Sequence, residues 1–486
     1  MTQYTMIEPE IKIFLNQITF SLPCQSFDIK YSVTKQERLP IVTEFVVRLI
    51  HVCNGISVFN IQEYFGFSSK ETEVVIQSLK NERLVLFNTD NELELTEYAK
   101  SKFAESSDDL PRFFKIEEKN ETINFNLVSF SYLKKLGSNY PNSLFINLKE
   151  KDEHISKSKY YAEKSFGDNF NKIHKDRLDE KSELYKITNV SAKNRYDYPI
   201  PLNFYLNIDD DSMDIVNSKD AEELIKSDND IYKEIIETFS RKNDFNNRYN
   251  NQCEYLFEFI KTFNDRVLNN KIDSKNKLDL ISYIKEVHLQ KTVSYGNKTE
   301  ALLGNLYVRD DENKLNNFSK IMKKLGKYEK HHKSMCWLVP ENSYFGRTYL
   351  LKDFINSVVS KEYKNELKIL LPIEETQQDY VYSNGFETYG YTKPIMNGQL
   401  EVLLYAPYFV CVLFHYYYPT TFSSISIPIG FVSENPEKVE IARKLIFEHL
   451  QNNKNYQGKL GRNKNDKNNF KDDFCFLNIS PLKNTK

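Results

Sequence analysis

Between residues 39 and 103 the apolar positions recur first with a helical period and then with a strand period. IVTEFVVRLIHVC places Ile41, Phe45, Val46, Leu49 and Ile50 on one stripe, with Pro40 where a first helical turn tolerates it. Asn54-Gly55 stops that helix. VFNIQEYFG predicts a second, short helix, and Gly66 allows the tight turn after it. Ser68 or Ser69 caps a third helix, KETEVVIQSLKNERL, with Glu71 and Thr72 in its first turn and Val74, Val75 and Leu79 as its buried positions. LVLF and ELEL then read as two strands around the turn-forming group Thr89-Asp90-Asn91, giving a hairpin over Leu84–Leu95. Thr96 caps a closing helix, EYAKSKF.

The rest of the chain is patterned more loosely. Residues 1–38 form an N-terminal extension whose short amphipathic stretch, IKIFLNQITFSL, ends at Pro23 and is expected to pack on the next unit or on a partner. Residues 104–330 form a mixed β then helical middle region. Within it, 150–182 reads as a charged, mobile excursion, and ELYKITNVSAKNRYDYPIPLNFYLNID as two strands joined by a polar turn. Residues 334–450 return to α/β, with strands at MCWLVP, ELKILLP and SSISIPIGFVS, one or two more in LEVLLYAPYFVCVLF, and a final helix PEKVEIARKLIFEHL. Residues 451–486 are a polar tail. The expected fold class is α+β, multidomain: an N-terminal winged helix, a mixed and helical middle region, and a C-terminal α/β domain.

The winged-helix expectation has two supports. The order helix, helix, turn, helix, hairpin, helix is that of a winged helix. In addition, GISVFNIQEYFGFSSKETEVVIQSLKNERLV followed by LELTEYAKSKF resembles many bacterial winged-helix domains over about 65 residues. Such a resemblance implies a fold; function has to come from the surface. In a DNA reader the third helix would present Lys70, Glu73, Gln77 and Lys80 outward. Over 39–103, however, six basic residues (Arg48, Lys70, Lys80, Arg83, Lys100, Lys102) face nine acidic ones (Glu44, Glu63, Glu71, Glu73, Glu82, Asp90, Glu92, Glu94, Glu97), a balance of −3 that opposes phosphate approach. Docking of protein and direct reading of DNA both stay open.

Charge elsewhere adds two segments. With 66 basic and 68 acidic side chains in 486 residues, net charge is −2 and announces no nucleic-acid partner. Locally, 321–335 holds Lys323, Lys324, Lys327, Lys330 and Lys333 against Glu329, a balance of +4, beside His331, His332, Tyr328 and Trp337. It is the expected phosphate-tracking site, or else a solvated helix end. Residues 205–240 carry eleven acidic residues against three lysines. Asp209-Asp210-Asp211 begins like a calcium loop, but Met213 stands where a ligand belongs, and a helix N-terminus explains the carboxylates as well.

Catalytic motifs are thin. The C-terminal α/β region resembles the frame of phospholipase D-like domains, whose active members imply His-x-Lys with a following Asp. His331 and Lys333 fit, but Leu338 stands at the Asp position and no second copy exists. A nuclease of the Asp…Glu-x-Lys kind would use Asp353, Glu366 and Lys368, with Glu366 and Lys368 on the strand ELKILLP. No Walker loop, GxSxG, HExxH or GxGxxG is present. No cofactor or metal is expected. Six scattered cysteines without CxxC spacing, and an N-terminus without a basic-then-apolar leader, suit a reducing cytoplasm. The stretch 403–418 is too short for a membrane span and is interrupted by Pro407 and His415, so it reads as buried strand. The expected role is a non-enzymatic component of a bacterial multi-protein system, in the style of anti-phage defence accessories. It would bind other protein subunits or DNA and no membrane; the alternatives are a phosphodiester enzyme or a winged-helix transcription regulator.

Overall fold

The computed structural model describes residues 12–478 apart from 38, 105–110, 112, 135–143, 176–181, 209–211, 218–223, 225, 227, 242–250, 275–276, 290–297, 310–316, 329–333, 361–365, 374–386, 419–424, 452–454 and 461–469. It is α+β with several sheets, and it divides into two compact units. The smaller comprises residues 24–136 and 152–195; the larger comprises residues 1–23, 137–151 and 196–486.

Strand β1 (Lys12–Glu37) enters the smaller unit at Cys24. After it come α1 (Ile41–Cys53), α2 (Val58–Phe65), α3 (Ser69–Asn81), the hairpin strands β2 (Val85–Phe87) and β3 (Leu93–Leu95), α4 (Glu97–Ala104) and β4 (Phe113–Asn126). β4 runs antiparallel to β1 from Cys24↔Asn126 to Glu37↔Phe113. Three short helices, α5 (Asp152–Ser156), α6 (Ser158–Asp168) and α7 (Phe170–His174), precede the long strand β5 (Ser182–Asn207), which lies on the other side of β1. Alternation in β1 turns Phe27, Ile29, Tyr31 and Val33 to one face. There α6 and α7 cover them, with the rings of Phe166 and Phe170 5.0 and 5.7 Å from Tyr31.

The larger unit is built on an eight-stranded sheet. Its strands in chain order are β6 (Thr299–Leu303), β7 (Ser334–Leu338), β8 (Glu366–Pro372), β9 (Glu387–Tyr391), β10 (Leu400–Tyr405), β11 (Phe409–Tyr417), β12 (Ser426–Ser433) and β13 (Tyr456–Lys459). In space they run β13-β9-β8-β7-β10-β11-β12-β6. β7, β8 and β9 are mutually parallel, and the remaining pairings are antiparallel. β10, β11 and β12 are buried along their whole length, because both faces are covered. On one face α8 (Gln252–Phe263) sets Phe259 against Phe414 and Phe263 against Phe431. On the other, α9 (Asn317–Lys327) and α10 (Tyr349–Val358) bring Ile321, Leu325, Leu351 and Phe354 into a core with Leu403, Cys411 and Leu413. The stretch 403–418 is thus a buried hairpin. Among the described residues no helix is long and apolar enough to cross a membrane.

Four expectations are corrected. Residues 12–37 are one strand, not a stretch ended by Pro23. Pro23 falls between the pairing of Phe20 and Ser21 with the short strand Ile146–Asn147 and the start of the β4 pairing at Cys24, so its missing N–H costs no ladder bond on that side. Residues 182–207 are likewise one strand rather than two. The charged segment 150–182 carries α5 to α7, because Ala162, Phe166, Phe170 and Ile173 recur at helical spacing and fill the core under β1. The polar tail contributes β13 and a helical turn at Phe470–Asp473, held by ring contacts of Tyr456 with Phe470 and Phe474.

Candidate functional site

Residues 41–104 fold around their own apolar core, which includes Val46, Val47, Ile50, Ile61, Ile76, Leu79, Leu84 and Leu95. Local chemistry fixes each corner. The Ser57 hydroxyl accepts from the Asn60 N–H at 3.2 Å and starts α2. Gly66 ends α2 with φ of 67°, a conformation that glycine adopts without strain. Ser68 and Glu71 form a reciprocal capping box at the start of α3: the Glu71 N–H donates to the Ser68 hydroxyl at 3.3 Å, and the Ser68 N–H donates to the Glu71 carboxylate at 2.8 Å. The Ser68 N–H, together with the Ser68 hydroxyl, which itself donates to the carboxylate at 2.8 Å, holds the Glu71 carboxyl below its usual range. In the hairpin, the Asn88 side-chain oxygen accepts from the N–H groups of Asp90 and Glu92. Ile56 and Leu93 exchange backbone hydrogen bonds, adding a third extended position beside the hairpin.

The structure turns two of these helices relative to the sequence reading. α1 buries Thr43, Val46, Val47 and Ile50, leaving Ile41 and Phe45 exposed. α3 buries Thr72, Ile76 and Leu79, leaving Val74 64% exposed and Val75 half-buried. Lys70, Glu73, Gln77 and Lys80 do face outward. Lys80 lies over the Phe87 ring at 4.3 Å, and Gln77 donates to Asn81 at 3.2 Å. Between the first turns of α1 and α3 runs an open groove of about 610 Å³, lined by Val42, Phe67, Ser68, Lys70, Glu71, Val74 and Val75. Apolar side chains predominate in a position where a groove-reading helix would carry donors.

Two of the three described lysines of the basic segment are held in ion pairs. Lys324 is buried, and its ammonium lies 2.9 Å from Glu300 and 3.5 Å from Glu434. Lys327 lies 2.7 Å from Glu434, and the Tyr328 hydroxyl donates to the same carboxylate at 2.6 Å. Burial alone would raise the Glu434 carboxyl. The hydrogen bonds from Lys327 and Tyr328 and the charges of Lys324 and Lys327 outweigh it and hold the group at about 2. Lys323 is exposed. Lys330, Lys333, His331 and His332 lie outside the described residues, as does Asp209-Asp210-Asp211. Lys324 is thus a buried ion-pair partner, and Lys327 an exposed partner of Glu434.

The nuclease candidates lie on α10 and β8. Asp353 is exposed on α10, and Glu366 accepts from the Ser334 hydroxyl at 3.2 Å at the start of β8. Lys368 donates to the Asp473 carbonyl at 2.5 Å and lies within 6 Å of the ring centres of Tyr389, Phe474 and Phe476. Among the described residues no three His, Cys, Asp or Glu side chains gather closely enough to share a metal ion.

Sequence reading missed a polar network inside the large sheet. The Glu401 carboxylate on β10 accepts from the Trp337 indole N–H at 3.0 Å and meets His415 Nε2 at 2.7 Å. His415 Nδ1 lies 2.8 Å from the Ser426 hydroxyl, which also accepts from the Asn342 amide at 2.9 Å. The Ser–His–Glu order is that of a nucleophile relay, but Ser426, His415 and Glu401 are all buried. The arrangement locks strands β10, β11 and β12 to β7. A single histidine inside an apolar run was the only signal of it. In the smaller unit, Tyr31, Glu121 and His174 form a second such cluster, with the Tyr31 hydroxyl 2.9 Å from Glu121 and 3.0 Å from His174.

No protein-family model and no curated protein matches the chain. Among solved structures, it shows a partial likeness to TrmBL2, described as an archaeal chromatin protein whose structure shows a novel mode of DNA binding. The match covers 41% of this chain and 69% of that one at 14% identity, with a TM-score of 0.20. So loose a superposition says nothing of this chain's fold or function.

Proposed function

We propose that this chain is an assembly component whose residues 41–104 form a winged helix that docks protein rather than reads DNA. The observation that carries the reading is the outward surface of α1 and α3. It holds the groove lined by Val42, Phe67, Val74 and Val75, with Glu71 and Glu73 beside Lys70. Reading a major groove requires hydrogen-bond donors at base edges and cations at phosphates. The apolar side chains of the groove supply neither, and Glu71 and Glu73 oppose phosphates beside Lys70 within a segment whose balance over residues 39–103 is −3, whereas exposed apolar patches mark protein contacts.

Titration of the full chain with a labelled DNA duplex at low salt tests this. Replacing Lys70 and Lys80 together by Ala is expected to change the affinity by less than about twofold, because neither lysine sits on a phosphate. A loss of about tenfold or more, with the salt slope reduced by about two, would place α3 in a groove and overturn the reading.

A further inference from the structure

We infer that the outer face of α1 pairs with the same face of a second copy of this chain, the two helices running antiparallel. The inference rests on the docking reading and deepens it by naming the occupant. α1 is apolar on two sides. Its inner side, Thr43, Val46, Val47 and Ile50, fills the core. With about 3.6 residues per turn, Ile41, Phe45, Arg48 and Val52 form a second stripe on the opposite side. Ile41, Phe45 and Val52 on this stripe are 75%, 50% and 81% exposed. A helix apolar all round is one that neighbours cover on both sides.

Charge selects the occupant and its direction. Val42 and Leu49 flank the outer stripe on one edge, Glu44 and His51 on the other. A twofold axis midway along the stripe sets Ile41 against Val52 of the second copy and Phe45 against its Arg48. On the flanks, Val42 meets Leu49, and Glu44 meets Arg48 and His51. Apolar groups then meet apolar groups, and each carboxylate meets cationic or donor groups, twice over by symmetry. Arg48 already lies 5.5 Å from the Phe45 ring of its own helix, so the ring of the second copy offers it the same kind of contact from the other side. Parallel helices would instead set Arg48 against Arg48 and the Glu44 edge against the apolar edge of Val42 and Leu49.

Cysteine cross-linking of the full chain tests both pairing and direction. The exposed or half-buried thiols Cys53, Cys253 and Cys475 are first replaced by Ser, and Ile41→Cys and Val52→Cys are then introduced together. Within one helix these positions stand roughly 16 Å apart, too far for a disulfide, so a bond between them joins two chains. Mild oxidation is expected to give a covalent dimer with both cysteines present, and much less with Ile41→Cys alone. Phe45→Lys, with an unchanged circular dichroism spectrum, sets a second cation against Arg48 of the other copy and is expected to abolish the cross-link and to weaken association in sedimentation equilibrium by roughly tenfold or more. Three results would overturn the pairing: a monomer at every concentration without cross-link, equal cross-linking through Ile41→Cys alone, or a dimer indifferent to Phe45→Lys. A monomer would leave the docking reading standing, since that reading is decided by the Lys70 and Lys80 titration.

Discussion

Replacing Glu434 by Gln should destabilise the larger unit at neutral pH and remove part of its acid sensitivity. The Glu434 side chain is 12% exposed and receives Lys324, Lys327 and the Tyr328 hydroxyl. Its carboxyl is held at about 2 against an ordinary 4.5. A folded-state value below the unfolded one gives stability that is fully present above the unfolded pKa and is lost as pH falls toward the folded value. At about 1.4 kcal/mol per unit, the difference amounts to about 3 kcal/mol at pH 7 and to less than half of that near pH 3. Trp337, the chain's single tryptophan, is buried in the same unit, so its fluorescence reports unfolding there alone. For a urea slope of about 3 kcal/mol per molar or more, the midpoint of Glu434→Gln should fall by up to about 1 M at pH 7. The gap to the native chain should narrow as pH is lowered from 5 to 3. Equal midpoints at pH 7, or a gap of constant size down to pH 3, would refute the reasoning.

Glu401→Ala should cost about 3 to 5 kcal/mol in the same assay, because it leaves the Trp337 indole and His415 buried without their shared acceptor; a cost under about 1 kcal/mol would show that the network does not hold the sheet. Ser68→Ala should cost about 1 kcal/mol locally, seen as faster hydrogen exchange of the Glu71 amide and its neighbours in α3, with the Trp337 transition unmoved.

The elements of residues 41–104 were legible because each is signed by local chemistry: Ser57 and Ser68 as caps, Gly66 as a stop, Asn88 to Asn91 as a turn. Which side of α1 faces inward was not legible. In IVTEFVVRLIHVC the polar residues are too few to mark a solvent face, so the helical period selects no single stripe. The long strands escaped because outward positions such as Thr188, Lys193 and Asn194 on β5 look like a turn, and only pairing with β1 makes them strand. At Lys324 a charge count misleads for the same kind of reason. Lys324 is neutralised by Glu300 and Glu434, which lie elsewhere in sequence and arrive through β6 and the end of β12. Glu401 and His415 are fourteen residues apart and face each other only because β10 and β11 form a hairpin with the two residues diagonal across it.

The two-sidedness that hid the orientation of α1 also limits what it can do. Burying a large aliphatic or aromatic side chain completely is worth about 1.5 to 3 kcal/mol. Scaled by their exposure, Ile41, Phe45 and Val52 therefore leave about 4 kcal/mol of apolar surface in water on each copy, and about 8 kcal/mol across a pair. Association itself costs about 4 kcal/mol or more in lost freedom. The Glu44 pairs at the rim add about 0 to 1 kcal/mol each. The surplus corresponds to a dissociation constant of about 100 μM or weaker. α1 alone thus makes an exchangeable contact that responds to local concentration. Such strength suits an assembly component, in which contacts made elsewhere on the chain raise the effective concentration at α1 and convert a weak pairing into an occupied one.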